Sequence, residues 1–120
     1  MEDNRLTIKR WAEEDRPREK LLLKGKASLS EAELIAILIG SGNTEQTAVE
    51  LSQHILRQCE NNLANLARLS VKDLQKFKGI GEAKAISIVA GLELGRRRKE
   101  SEPSRKIKIT SSQDAFQVLQ

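Results

Sequence analysis

Gly79-Ile80-Gly81 is the stretch of this 120-residue chain where residue type and spacing can do chemistry without a reactive side chain. Two glycines around one apolar residue let the chain reverse while Ile80 plugs the angle between the flanking segments, because glycine enters positive φ without steric cost. Bare N–H groups then face outward. The helix expected to start just after Gly81 adds unsatisfied N–H groups and the positive end of its dipole. A phosphate oxygen can be held near Gly81 and Ala83 in this way without any side chain. Basic residues surround the motif: Lys84 follows it, Lys72 and Lys76 lie four apart on the preceding helix, and Lys78 enters the turn. Arg96 and Arg97, with Arg98 and Lys99, close the second helix. The candidate anion-binding set is therefore Lys72, Lys76, Lys78, Gly79, Ile80, Gly81, Ala83, Lys84, Arg96 and Arg97.

Two helices must position this turn. Ser70 is a good N-cap, Asp73 favours the dipole of the first turn, and Leu74 and Phe77 repeat at helical spacing before the glycines. In the second helix Ala83, Ile86, Ala90 and Leu94 form one apolar stripe. Ala85, Ile88, Val89 and Leu92 broaden it so far that the helix is expected to be covered on two sides.

Phe77-Lys78-Gly79-Ile80-Gly81 with Ala85 and Ile88 resembles the helix-hairpin-helix module, whose pattern is an apolar residue, a spacer, Gly-apolar-Gly, then alanine and isoleucine. The resemblance implies sequence-independent binding of a nucleic-acid backbone through hairpin amides, sometimes with a monovalent cation held by the hairpin carbonyls. Glu82 departs from the pattern, since many such modules have proline there, and a carboxylate next to a phosphate weakens binding. The plain alternative is an αα-hairpin with a glycine turn and no ligand.

Composition excludes several other chemistries. Hydrophobic residues make up 38% and charged residues 32%, ordinary for one helical domain. Aromatics are only 2% and tyrosine is absent, which argues against stacking of single-stranded bases. The single cysteine, Cys59, cannot form an internal disulfide and reads as a packed residue in a reducing cytosol. His54 and Cys59 are five apart on one helix, outside the spacing that brings side chains together, so no metal site is expected and His54 reads as a polar position on a helix face. No Ser-His-Asp set, nucleotide-binding loop or paired catalytic carboxylates emerge from the spacings, so no catalytic residue is assigned. No apolar run reaches membrane-span length and the first residues lack a signal-peptide block, so the expected location is cytoplasmic.

The net charge of +4 conceals an asymmetry. Residues 1–60 carry nine basic and eleven acidic side chains, and residues 61–120 carry twelve and six, so the halves are −2 and +6. An excess confined to the half with the glycine turn points to a polyanionic partner.

Along the chain, Met1 to Thr7 reads as a mobile arm, and Trp11 as an anchor that buries its ring. Asp15-Arg16-Pro17 is expected to start a short helix, with proline in the first turn and Gly25 at its end. The alternating charges from Glu13 to Lys20 read as exposed pairs worth little each. Ser28-Leu29-Ser30 opens a helix over Glu31 to Ile39, followed by Gly40-Ser41-Gly42 and a helix from Thr47 to Arg57. Gly40 and Gly42 echo Gly79 and Gly81 thirty-nine residues earlier, so the chain is expected to hold two hairpins, with Leu63, Leu66 and Leu69 on a connecting helix. No Lys or Arg occurs between Lys26 and Arg57, so the first hairpin reads as a packing partner that has lost the chemistry. Ser101 to Ser104 reads as a linker, Lys106 to Thr110 as a strand, and Gln113 to Gln120 as a last helix.

The chain as a whole resembles the N-terminal region of the bacterial RadC family. The match includes Arg16-Pro17-Arg18-Glu19-Lys20-Leu21-Leu22, Leu29-Ser30-Glu31-Ala32-Glu33-Leu34-Ile35-Ala36-Ile37-Leu38, Gly79-Ile80-Gly81 and Leu92-Glu93-Leu94-Gly95-Arg96-Arg97. The resemblance implies a helical region followed by a JAB1/MPN-type metalloenzyme-like domain, whose zinc ligands are not present in these residues. It also carries a DNA-repair label without establishing a repair reaction.

The reading is an all-α tandem helix-hairpin-helix domain of five helices with an extra N-terminal helix, then a linker and the first strand and helix of a following domain. Residues 1–100 form the helical domain, with a degenerate hairpin at 29–59, a connector at 60–69 and the helix-hairpin-helix at 70–99. Residues 101–120 are the linker and the start of a truncated C-terminal domain. The expected function is sequence-independent binding of duplex or branched DNA, positioning the chain's own C-terminal domain, with no active site in these residues. The alternative is a docking module for a partner or for the next domain.

Overall fold

The computed structural model describes residues 2–101, and within them the chain forms six α-helices and no strand. The expected strand and last helix, from Lys106 on, lie outside the described residues. The helices are α1 (Glu2–Lys24), α2 (Glu31–Ile39), α3 (Ala48–Gln58), α4 (Leu63–Ala67), α5 (Val71–Leu74) and α6 (Glu82–Glu100), with a 3-10 turn at Lys26–Ser28 after α1. Contacts divide the chain into two units, Met1–Ala90 and Gly91–Gln120.

Local chemistry sets most helix starts. Ser30, Thr47 and Ser70 each accept a hydrogen bond from the amide three residues on, and Glu33, Glu50 and Asp73 return the bond to the cap amide. Each box satisfies two of the four orphan donors of a helix start. Asn62 caps α4 through Ala64 N–H at 2.8 Å. Gly25 and Gly40 end α1 and α2 at positive φ, 89° and 81°. Both helix stops follow from glycine's freedom there.

The core of the first unit is built on α2 packed against α3. Ile35, Ala36 and Ile39 are buried from α2, and Leu51, Ile55 and Leu56 from α3. Leu66, Leu74, Ile80, Ala85 and Ile88 bring α4, α5, the second glycine turn and α6 into the buried set. Cys59 is buried as expected, and desolvation pushes its thiol pKa up.

Five local expectations need correction. Residues 2–7 are helical rather than an arm, and Pro17 lies inside α1 rather than at a helix start. Proline breaks a helix by losing one amide donor and crowding the carbonyl four residues back. Here α1 continues because its middle is held from outside: Pro17 is buried, Glu14 binds the loop before α3, and Lys20 pairs with Glu33 at 3.2 Å. Those bonds also show that the 13–20 charges are not all exposed pairs, although Arg18 and Asp15 at 3.5 Å are one. Trp11 is 67% exposed, so its ring is not buried as expected. Finally, α6 is covered on one side, not two. Ala85 and Ile88 are buried, whereas Ala83 and Ala90 are exposed and Ile86 is half exposed. At 3.6 residues per turn the stripe through Ala83, Ile86 and Ala90 points away from Ala85 and Ile88, so one packing surface cannot reach both.

Candidate nucleic-acid interface

The second glycine turn is entered through a helix shorter than expected. After Leu74 the backbone tightens into i→i−3 bonds, from Lys76 N–H to Asp73, Phe77 N–H to Leu74 and Ile80 N–H to Phe77. Lys76 and Lys78 therefore sit on a tight spiral, and Lys72 and Lys76 do not share a continuous α-helical face. Phe77 is fixed edge-on against His54 of α3, with ring centroids 5.6 Å apart at 86°. His54 is thus half-buried, its ring on the face of α3 that meets Phe77.

Ile80 is buried beneath the turn, as its place between two glycines suggests. The glycines themselves differ. Gly79 has φ of 95°, and a Cβ there would stand 2.7 Å from Asn43 Cβ. Gly81 does not have positive φ, and a Cβ on it meets nothing within 4 Å. The expectation that both glycines are needed for positive φ holds for Gly79 alone. Gly81 and Ala83 are exposed, and α6 makes its first backbone bond from Ala85 N–H to Gly81. The amides of Glu82, Ala83 and Lys84 have no acceptor among the described residues.

The first glycine turn lies directly against the second. Asn43 Nδ2 donates to Lys78 O at 2.8 Å, and Lys78 Nζ pairs with Glu45 at 3.1 Å. Lys84 Nζ donates to Ser41 O, Ser41 Oγ and Gly42 O at 2.7, 3.1 and 3.3 Å. The echo of glycines thirty-nine residues apart is matched by a physical meeting of the two turns. The first turn is itself braced: Asn43 Oδ1 accepts from Glu45 and Gln46 amides, and Glu14 of α1 accepts from Gly42 N–H at 2.9 Å and Ala48 N–H at 2.7 Å.

The basic candidates fall into distinct environments. Lys72 is exposed and has no ion pair among the described residues, and Lys76 lies 3.8 Å from Asp73. Lys78 and Lys84 are joined to the first turn. Arg96 and Arg97 belong to the second unit, where both bind Glu93 at 2.8 and 2.9 Å and Arg96 also binds Glu100 at 2.7 Å. The Arg96 and Arg97 hydrogen bonds hold the Glu93 carboxyl down at about 2. These are exposed i,i+3 and i,i+4 pairs, screened by solvent and weak individually.

Sequence reasoning missed Glu14, Asn43 and Glu45. Asn43 did carry a signal, since an asparagine that accepts from amides two and three residues on is a common turn device. Glu14 carried none, because its partners are 28 and 34 residues away.

Among the described residues no cluster of three or more His, Cys, Asp and Glu can hold a metal ion. No helix among them is long and apolar enough to cross a membrane.

Residues 8–86 match the family model described as UPF0758 N-terminal. The chain belongs to the UPF0758 family. It is the RadC-like family to which the sequence resemblance pointed. A UPF0758 protein of Flavobacterium johnsoniae is 58% identical over all 120 residues, which cover 52% of that relative. Those of Porphyromonas gingivalis and Staphylococcus carnosus are 45% and 43% identical over 95% and 92% of this chain, covering 51% and 48% of their own lengths. The chain thus spans about half the length of the curated relatives it matches. No solved structure matches the chain significantly.

Proposed function

We propose that this region of the family binds the sugar-phosphate backbone of duplex or branched DNA without sequence preference, through the second glycine turn. The observation that carries the reading is the row of acceptor-free amides at Glu82, Ala83 and Lys84, at the start of a 19-residue helix and next to an exposed Gly81. Amides so placed suit a phosphate oxygen and need no base contact. Lys72, Lys76 and Lys78 supply the surrounding charge. Lys78 must exchange Glu45 for a phosphate, a small cost because both partners are more than half exposed. Bound in this way, the region positions the metalloenzyme-like C-terminal domain that the RadC resemblance implies, in a DNA-repair setting and in the cytoplasm.

One observation favours a second reading, docking of a protein partner or of the next domain. Ile86 is 50% exposed, between exposed Ala83 and Ala90 on the outward side of α6. Salt separates the two readings. Each neutralised phosphate contributes about −0.9 to the slope of log affinity against log salt, so backbone binding weakens steeply and apolar docking does not. Titration of duplex, branched and single-stranded DNA at two salt concentrations, with the Lys72→Gln/Lys76→Gln/Lys78→Gln variant alongside, makes the measurement. A flattened slope in the variant, similar for unrelated sequences, is the expected result. An unchanged slope in the folded variant overturns backbone binding by this turn.

A further inference from the structure

Lys84 differs from the other lysines of the turn in what its ammonium touches. An ammonium has three N–H donors and no acceptor. The three oxygens around Lys84 Nζ, from Ser41 O, Ser41 Oγ and Gly42 O, equal that number. The side chain is also half-buried, whereas Lys72, Lys76 and Lys78 are exposed. A lysine that binds phosphate has to turn its donors to the ligand; Lys84 has already turned them to two carbonyls and a hydroxyl of the first turn.

That backbone is gripped from both ends of its peptide groups. The Gly42 N–H goes to the Glu14 carboxylate, while Ser41 and Gly42 carbonyls go to Lys84. Residue 42 has to be glycine, because a Cβ there would run into Gln46 O and the Thr47 backbone. One residue further on, Asn43 holds Lys78 O and stands against Gly79. The chain of contacts therefore runs from the Lys84 ammonium through Ser41 and Gly42 to Asn43, and from Asn43 to the backbone of the second turn.

We infer that Lys84 is a positioning residue whose ammonium clasps the first glycine turn onto the second and fixes Gly79 to Gly81, and that it is not a phosphate ligand. What the fixed turn then binds rests on the backbone-binding reading; the clasp itself does not.

The test compares Lys84→Met with Lys78→Gln by amide hydrogen exchange and by DNA titration against salt. In K84M, exchange at Asn43 and Ile80, whose amides are bonded to Gln46 O and Phe77 O, should accelerate by about tenfold. Duplex affinity should fall by a similar factor, with the salt slope unchanged, whereas K78Q should lose about 0.9 from the slope. In Lys84→Ala, methylammonium should restore exchange protection at those amides, and tetramethylammonium, which has no N–H to donate, should not at equal ionic strength. In the parent protein the Lys84 ammonium protons should exchange slowly enough to be seen by NMR and those of Lys72 should not, a comparison that stands even if the variants do not fold. A slope reduced by about 0.9 in K84M makes Lys84 a phosphate ligand and overturns the inference. So does unaltered exchange at Asn43 and Ile80, or a fast-exchanging Lys84 ammonium, whereas accelerated exchange with unchanged duplex affinity overturns the backbone reading and leaves the clasp standing. If the parent binds no DNA, the backbone reading fails alone, and the exchange, methylammonium and ammonium-proton measurements still decide the clasp.

Discussion

Asn43 donates its side-chain amide to the carbonyl of Lys78 at 2.8 Å, across thirty-five residues of chain. With its oxygen it also accepts from the Glu45 and Gln46 amides, so one short side chain both shapes the first turn and ties it to the second.

Replacing Asn43 should separate these two jobs. Asn43→Ala removes both and should cost about 0.5 to 1.5 kcal/mol for each bond lost, the net range for hydrogen bonds whose groups are exposed or only part-buried. Asn43→Asp keeps the oxygen that the loop amides need and loses the donor to Lys78 O and to Gln46 Oε1, so its loss should be smaller than that of alanine. Urea unfolding measures both. Parental stability in N43D would show that the bond to Lys78 holds nothing.

The two glycines of the second turn should respond differently to alanine. Gly79→Ala meets both a left-handed φ and Asn43 Cβ, and should cost about 1 to 3 kcal/mol. Gly81→Ala meets open space at an ordinary φ and should change stability by no more than about 0.5 kcal/mol. Thermal unfolding tests the contrast. Because G81A keeps the fold, any loss of DNA affinity in it reports a methyl group standing where a phosphate approaches, which a double glycine variant would obscure.

Glu14 should matter more than its surface charge suggests. Its two oxygens take one amide each, at Gly42 and Ala48, and so hold α1 to the start of α3. Glu14→Ala should lower stability by about 1 to 3 kcal/mol through the two amides left without partners. Glu14→Gln should lose part of that, since its NH2 group faces an N–H where the carboxylate had an oxygen. Chemical denaturation that finds both variants at parental stability would remove Glu14 from the architecture.

Acid should weaken the fold through Glu33. The Ser30 amide, and then Lys20, hold its carboxyl below the ordinary value of 4.5. A carboxyl depressed in the folded state binds its proton more readily when unfolded, so stability rises with pH through this window. The contribution is complete above 4.5 and is lost as pH falls through the lower folded value. Glu33→Gln keeps an acceptor for the Ser30 amide but does not titrate, so its stability should vary less with pH below about 4.5. Urea midpoints across that range check this, and parallel curves for parent and variant would exclude Glu33 as a source of acid sensitivity.

Features that depend on near neighbours in the chain were readable from the residues. Ser30, Thr47 and Ser70 start helices where a cap followed by Glu or Asp at the third position predicts them, and Gly25 and Gly40 stop helices because no other residue takes their φ cheaply. The burial of Ile80 between two glycines and the packing of Cys59 are of the same kind. Pro17 shows where this reasoning fails, because a local rule against proline was overridden by contacts made from the flanks of α1 to α2 and the loop before α3.

The amino-acid sequence determined the helical character of the described residues, the two glycine turns and the family, since each follows from periodicity, caps and motif spacing within a few tens of residues. Tertiary structure alone decided what each lysine is attached to. Lys78 and Lys84 look alike in the sequence, yet one ammonium rests on an exposed carboxylate and the other on three oxygens of a turn more than forty residues away. It also decided which stripe of α6 is covered and which glycine is crowded. The physical reason is common to all three: side-chain reach and steric contact depend on distances in space, and those are set only after the helices and the two glycine turns have packed.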